Sequence, residues 1–329
     1  LTSRWMGRRG MRTVINWTLV VSLISMATIA YLMMPLWGYM VLGLIGGLAT
    51  PPIQPAVRTI YPKLVNSKQL TPLFSLDASA QEIIWIAGPV LTTFLAIQIS
   101  PPVAIAVAGG FLLVGGLWFV TAPELGTVRI PPSKRKLGTV LGNKAVLLAT
   151  ITGFLLIGAA AALEVSVVSV FGESGPQAGI ILSIWAIASL IGGLALGGVQ
   201  IGPWALAARM AVVALGLLLA TGSTDFWWLV FSLVIAGIGI APALAVMFAI
   251  VSATVKFSET AEAYGWVGSG QLIGAALGSA VAGFAIDAFN SPGGFITAFV
   301  IALLGALAAV LLRSFHPDLR GKDPSPPPD

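Results

Sequence analysis

Residues 226–253 read FWWLVFSLVIAGIGIAPALAVMFAIVSA, with no charged side chain among them. A helix needs about 20 apolar residues to cross the ~30 Å hydrocarbon core of a bilayer, so this stretch is long enough to span it. Further apolar runs lie on both sides of it, at 13–34, 36–60, 74–97, 102–122, 145–170, 177–201, 204–222, 262–287 and 293–313. Over the chain of 329 residues, 57% are hydrophobic and 9% charged, and the mean hydropathy is +0.97. An ordinary soluble domain carries roughly 25% charged residues. No soluble fold hides this much apolar surface, so the sequence predicts an all-α polytopic membrane protein with ten spans.

The same composition excludes a soluble enzyme, a secreted disulfide scaffold and a disordered chain. Cysteine is absent and the single histidine is His316, which leaves thiol chemistry and Cys/His zinc sites without residues; no metal or cofactor is expected. No G-x-x-x-x-G-K-S/T loop occurs, so ATP hydrolysis by a P-loop has no support. A net charge of +5 would suggest nucleic acid in a soluble protein. Here it needs only to explain orientation, and no nucleic-acid partner is expected.

Basic loops stay on the cytoplasmic side of a membrane. Arg4, Arg8, Arg9 and Arg12 precede the first run, and Arg58, Lys63 and Lys68 lie between the second and third. Arg129, Lys134, Arg135, Lys136 and Lys144 fill the stretch before the fifth. Arg209 opens the seventh, Lys256 separates the eighth from the ninth, and Arg313, Arg320 and Lys322 follow the tenth. The alternate connectors hold only acids such as Glu173 and Asp225. This alternation predicts a multi-pass protein of the plasma (inner) membrane with cytoplasmic N- and C-termini. Residues 1–121 read as a four-span bundle, 122–144 as a polar cytoplasmic linker and 145–314 as a six-span bundle. The polar, Pro-rich 315–329 reads as a flexible cytoplasmic tail.

An offset of 190 aligns the two bundles without a gap. It pairs Gly47 with Gly237, Pro52 with Pro242, Ser79 with Ser269, Gln81 with Gln271 and Gly88 with Gly278. Parallel repeats of this kind are a transporter signature. The partners of the fifth and sixth runs would fall before residue 1, so a first helical hairpin of roughly 46 residues is expected to be missing from the sequence.

The opening LTSRWMGRR (1–9), with Arg4, Gly7, Arg8 and Arg9, resembles the end of the G-x-L-A-D-R-x-G-R-R loop between helices two and three of the major facilitator superfamily. RTIYPKL (58–64) and LDASAQEIIWIAGP (76–89) resemble its bacterial efflux-type members. The resemblance implies two parallel-repeat halves, represented here by helices three to twelve, rocking around a midplane site. Three departures stand out. Ser3 replaces the loop Asp, with one extra residue between Arg4 and Gly7. Gly43 occupies the place of the helix-four Arg of drug/proton antiporters. Gly88-Pro89-Val90-Leu91-Thr92-Thr93 replaces G-P-x-x-G-G.

Ionisable groups inside spanning helices are functional candidates by default. Glu82 lies about 12 Å into its helix and Glu164 about 10 Å from the outer surface. A carboxyl so placed can bind and release a proton as the protein alternates; the plain alternatives are a hydrogen bond to a neighbouring helix for Glu82 and snorkelling for Glu164. Asp77 lies nearer the cytoplasmic edge, where hydration makes the ordinary role more natural. Gln81 and Gln271 can bond either a substrate or a neighbouring helix. Pro52 and Pro242, with Gly88 and Pro89, are candidates for helix bending. Gly193 and Gly197, and Gly274 and Gly278, are small-x-x-x-small pairs. The resemblance implies that both pairs pack across the interface between the halves, in gating. Arg8 and Arg9 suit either a cytoplasmic gate or anchoring at headgroups.

The expected function is secondary transport by a monomer: proton-coupled export of a small amphipathic or apolar solute. Uptake of a sugar or neutral metabolite is the alternative within transport, and a truncated, non-transporting membrane protein the alternative outside it.

Overall fold

The computed structural model describes residues 2–128, 130–131, 136–172 and 176–327, the side chains of Trp85, Ile86, Pro89, Val90, Thr93, Ile97 and Thr127 excepted. Arg129, Lys134, Arg135 and Glu173, used above for orientation, lie outside the described residues. All regular structure within them is helical. Helix α1, Thr2–Arg9, takes up the opening basic motif, which is therefore helical and not the expected loop. It ends at Gly10, whose φ of 85° lies in the left-handed region open to glycine.

The first bundle then runs through α2 (Met11–Tyr31), α3 (Leu36–Leu48), α4 (Ile53–Leu64), α5 (Ser67–Gln98) and α6 (Pro101–Thr121). Helices α3 and α4 form one run broken at 49–52, where Pro51 and Pro52 supply no backbone N–H. The expected connector at 61–73 shrinks to 65–66, because the Asn66 side chain accepts the Gln69 N–H and starts α5 early. A short α7, Pro123–Thr127, begins the linker.

The second bundle comprises α8 (Lys144–Phe171), α9 (Pro176–Leu196), α10 (Ala205–Ala220), α11 (Phe226–Thr254) and α12 (Phe257–Leu311). Asn143 and Asp225 cap α8 and α11 with side-chain oxygens on the first free N–H groups. Within α12, Asn290 at φ 58° is non-helical and divides it into two arms. Seven helices among the described residues are long and apolar enough to cross a membrane. With the arms of α12 counted apart, and α5 and the shorter apolar α10 added, every expected run is helical.

Helices α8 to α12 share one large core with α11 at its centre. A methyl on Gly278 would sit 2.1 Å from the Gly158 carbonyl, and one on Gly274 2.1 Å from that of Phe154. These glycines therefore seat α12 on α8 within the second bundle. That corrects the expectation that they pack between the halves: their bare face meets the backbone of α8. A smaller core joins Met6, Ile15, Ala56 and Val120 to Phe257 and Ala261 of α12.

Linker and tail are both docked. Gly138 N–H donates to Glu262 at 2.8 Å, and Leu125 and Ile130 are buried. The tail folds back so that Leu319 N–H donates to the Ile201 carbonyl at 3.0 Å, and His316 is buried. The expectation of a flexible tail fails there because this backbone bond and the packing of Phe315 and Leu319 on the large core hold it.

Candidate functional site

The two bundles meet along α5, which packs on α9 and α11. Ser75 and Ser79 are one helical turn apart and face Gly197, just past the end of α9, and Gly193 within it. A methyl on Gly193 would fall on Ser79 Oγ, and one on Gly197 3.0 Å from Ser75 Cβ. Only glycine lets the helices come this close, so this pair does lie between the halves. Ser79 Oγ also donates to the Leu190 carbonyl at 3.5 Å.

Glu82 follows three residues after Ser79 on the same helix and is 6% exposed. Its carboxyl lies beside the Ser189 hydroxyl of α9, and Glu164 of α8 is near enough for the two charges to interact. Ser189 Oγ in turn accepts the Ala241 N–H of α11 at 3.1 Å, one residue before Pro242. Glu82 thus stands where α5, α9 and α11 meet, within the field of α8. Glu82 and Glu164, two separate candidates of the sequence, lie near enough for their charges to interact.

Other candidates divide. Gln81 is occupied within the first bundle: Gln54 Nε2 donates to its Oε1 at 3.2 Å, and its Nε2 donates to the Asp77 carbonyl at 3.3 Å. Gln271 lies over Gly153 of α8, and its Nε2 is buried without a hydrogen-bond partner. Trp185, one turn before Ser189, has a buried Nε1 in the same condition. Buried donors left unpaired are costly. Pro52 caps α4 at the break, and Pro242 sits inside α11 with its carbonyl accepting Arg209 Nη1 at 2.8 Å. Helix α5 continues through Gly88 and Pro89 without interruption; the Pro89 side chain lies outside the described residues.

Five residues before Glu82, toward the end of the bundle that carries both termini and most basic residues, Asp77 accepts from Arg58 Nε at 2.8 Å and from Tyr61 Oη at 3.1 Å. The Arg58 guanidinium stacks 3.6 Å above the centre of the Phe248 ring on α11. Phe74, Phe248 and Tyr264 pack ring against ring around it, and Tyr264 Oη donates to the Phe248 carbonyl at 2.9 Å. This cluster lies between the bundles at the basic end. Asp77 is therefore an ion-pair partner there, not a hydrated edge residue. A second tie runs from Arg4 to Glu262 at 3.5 Å, while Gly7 is half-buried and Arg8 and Arg9 are exposed.

Sequence reasoning missed Arg58, Ser189 and Trp185. Arg58 counts among the connector cations of the sequence reading, yet it falls at the end of the run 36–60, where an ion needs a partner. Ser189 and Trp185 carried no signal, because a serine and a tryptophan are ordinary in a spanning helix.

The sequence profile of the Major Facilitator Superfamily matches residues 1–208 and again 166–328. Comparison with curated proteins finds none that matches. Among solved structures the chain is similar to the human organic anion transporter MFSD10 (TETRAN), with a TM-score of 0.71 at 16% identity, over 94% of this chain and 79% of that one. It is similar to a variant of the fucose:proton symporter FucP of E. coli, with a TM-score of 0.69 at 14% identity, over 94% and 86%. A bacterial homologue of the iron transporter ferroportin, solved in an outward-facing state, gives 0.67 at 13% identity, over 95% and 86%. At these identities the likeness is one of fold.

Proposed function

The chain belongs to the Major Facilitator Superfamily and is a secondary transporter of a small molecule across a membrane, and from that premise we propose that it couples export of a small amphipathic or apolar solute to protons. The observation that carries this reading is Glu82, a buried carboxyl on the seam between the bundles, beside Ser189 of α9 and near Glu164 of α8. A carboxyl buried on the seam changes its surroundings when the bundles rock. That change is what couples proton binding to alternating access.

On this reading Glu82 and Glu164 exchange the proton, and Trp185 and Gln271 offer donors to the solute. Arg58 on Phe248 is the contact that breaks when the basic end opens, and the packing of Gly193 and Gly197 on α5 is where the bundles slide. The basic end faces the cytoplasm of a cell whose plasma membrane holds the protein as a monomer. The scarcity of charges along the seam suits an amphipathic or apolar solute better than a highly charged one.

The test is flux in proteoliposomes loaded with a pH-sensitive dye, using fluorescent amphipathic solutes under an imposed pH gradient. Wild type moves solute and protons together, and Glu82→Gln loses gradient-driven flux while still exchanging solute down its own gradient. Full gradient-driven flux in Glu82→Gln would sink the proton-coupled reading and leave transport itself standing.

A further inference from the structure

Helix α10 has 16 residues, a rise of about 24 Å, which is less than the ~30 Å hydrocarbon core it has to cross. The chain turns into it through Gly202, Pro203 and Trp204 in place of another helical turn. The shortfall leaves a groove of about 470 Å³ at the basic end, between α9, α10 and α11. Its apolar wall is made by Leu196, Val199, Val212 and Ile238, and its polar side by Gln200, Arg209 and Arg320.

Arg209 is 8% exposed. One of its five N–H groups donates to the Pro242 carbonyl at 2.8 Å. Among the described residues no carboxylate pairs with it. Arg320 comes in from the docked tail and lies over Gly202, where Asp318 holds it by two bonds of 3.0 and 2.7 Å. That pair is exposed and fixes the guanidinium at the groove. At the rim, Arg313 stacks 4.4 Å from the centre of the half-exposed Trp204 ring. Three arginines against one aspartate give the groove a net positive charge. A cation held in an apolar wall without a counter-ion is costly until an anion reaches it.

We propose that this groove binds an anionic phospholipid of the leaflet at the basic end, with its phosphate on Arg209 and Arg320 and its first methylenes along Leu196, Val199 and Ile238. Guanidinium groups take phosphate oxygens in pairs. A tryptophan at the rim suits headgroup level, and a helix too short for the bilayer draws the headgroup layer inward. Free phosphate shares the anionic chemistry but has no use for the apolar wall, which favours the lipid.

The full chain in detergent is heated with phosphatidylglycerol, phosphatidylcholine or inorganic phosphate, and lipid retention is counted by native mass spectrometry. Phosphatidylglycerol is expected to raise the unfolding temperature and to stay bound as a single adduct, ahead of phosphatidylcholine. R320Q should weaken it about fivefold, the effect of removing one arginine from an anionic surface, and R209Q at least as much. Equal retention of the two lipids, an equal rise with inorganic phosphate alone, or unchanged binding in R320Q overturns the proposal. R320Q alters an exposed side chain, so it decides alone where R209Q does not fold.

Discussion

Residues 36–64 and helix α11 are counterparts in the internal repeat, yet they live in different surroundings. In the most apolar stretch of α11, 83% of residues are buried, against 17% for Leu36–Leu64. Gly237 faces the Trp185 carbonyl so closely that a methyl would sit 2.5 Å away, whereas its counterpart Gly47 has nothing within 4 Å. Helix α11 is enclosed by α8, α9, α10 and α5. Among the described residues nothing encloses 36–64 in that way, so the same sequence pattern meets close neighbours in one half and an open face in the other. The comparison separates two ways of holding a helix. In the second bundle small residues interlock with backbone. In the first, α4 is held by an ion pair and by a guanidinium stacked on a ring.

The largest effect is expected at that polar tie. Asp77→Asn leaves the Arg58 guanidinium buried without its counter-charge and should cost about 3–5 kcal/mol. Replacing both members, as Arg58→Met with Asp77→Leu, should restore most of that stability, because two apolar side chains need no desolvation. Thermal unfolding in detergent measures both. A double variant as unstable as the single one would mean that the contact between α4 and α11 depends on the stacked cation itself.

The repeat pair gives the sharper contrast. Gly237→Ala should destabilise by about 1–3 kcal/mol through overpacking against Trp185, while Gly47→Ala should stay within about 0.5 kcal/mol of wild type. Equal effects at the two positions would mean that Gly47 packs against something in the membrane and that the contrast between the halves is not intrinsic to them.

The smallest effect concerns the docked tail. Burial lowers the His316 pKa below its ordinary 6.5, so the folded protein holds the imidazole neutral. The unfolded chain binds the proton more readily, and its contribution to stability is complete above about pH 6.5 and is lost as the pH falls toward the lowered value. The protection factor of the Leu319 amide, its exchange rate corrected for the intrinsic pH dependence, should therefore fall on acidification, and His316→Phe should remove that dependence. An unchanged protection factor between pH 7 and pH 5 would show that the tail is held by its backbone bond alone.

The spans were legible because crossing a bilayer demands about 20 apolar residues in succession, a signal that survives any change of neighbours. Glu82 and Glu164 were legible for the converse reason, since an acid inside such a run is conspicuous. The opening motif resembles a loop and is a helix, and the tail has the composition of a free segment and is docked. In both places polar composition concealed contacts made by a few residues, Ser3 and Met6 in α1, and His316 and Leu319 in the tail.

Hydropathy and the spacing of charges thus fixed the fold class and the membrane setting. Which polar groups meet was decided only in three dimensions. The meeting of Glu82 with Ser189, the stacking of Arg58 on Phe248 and the seating of Gly274 and Gly278 on α8 join residues far apart in the chain. The physical reason lies in the solvent. Lipid imposes one requirement on every residue that faces it, and a linear sequence displays that requirement directly. Packing between helices imposes a separate requirement at each contact, set by a partner that the local sequence does not contain.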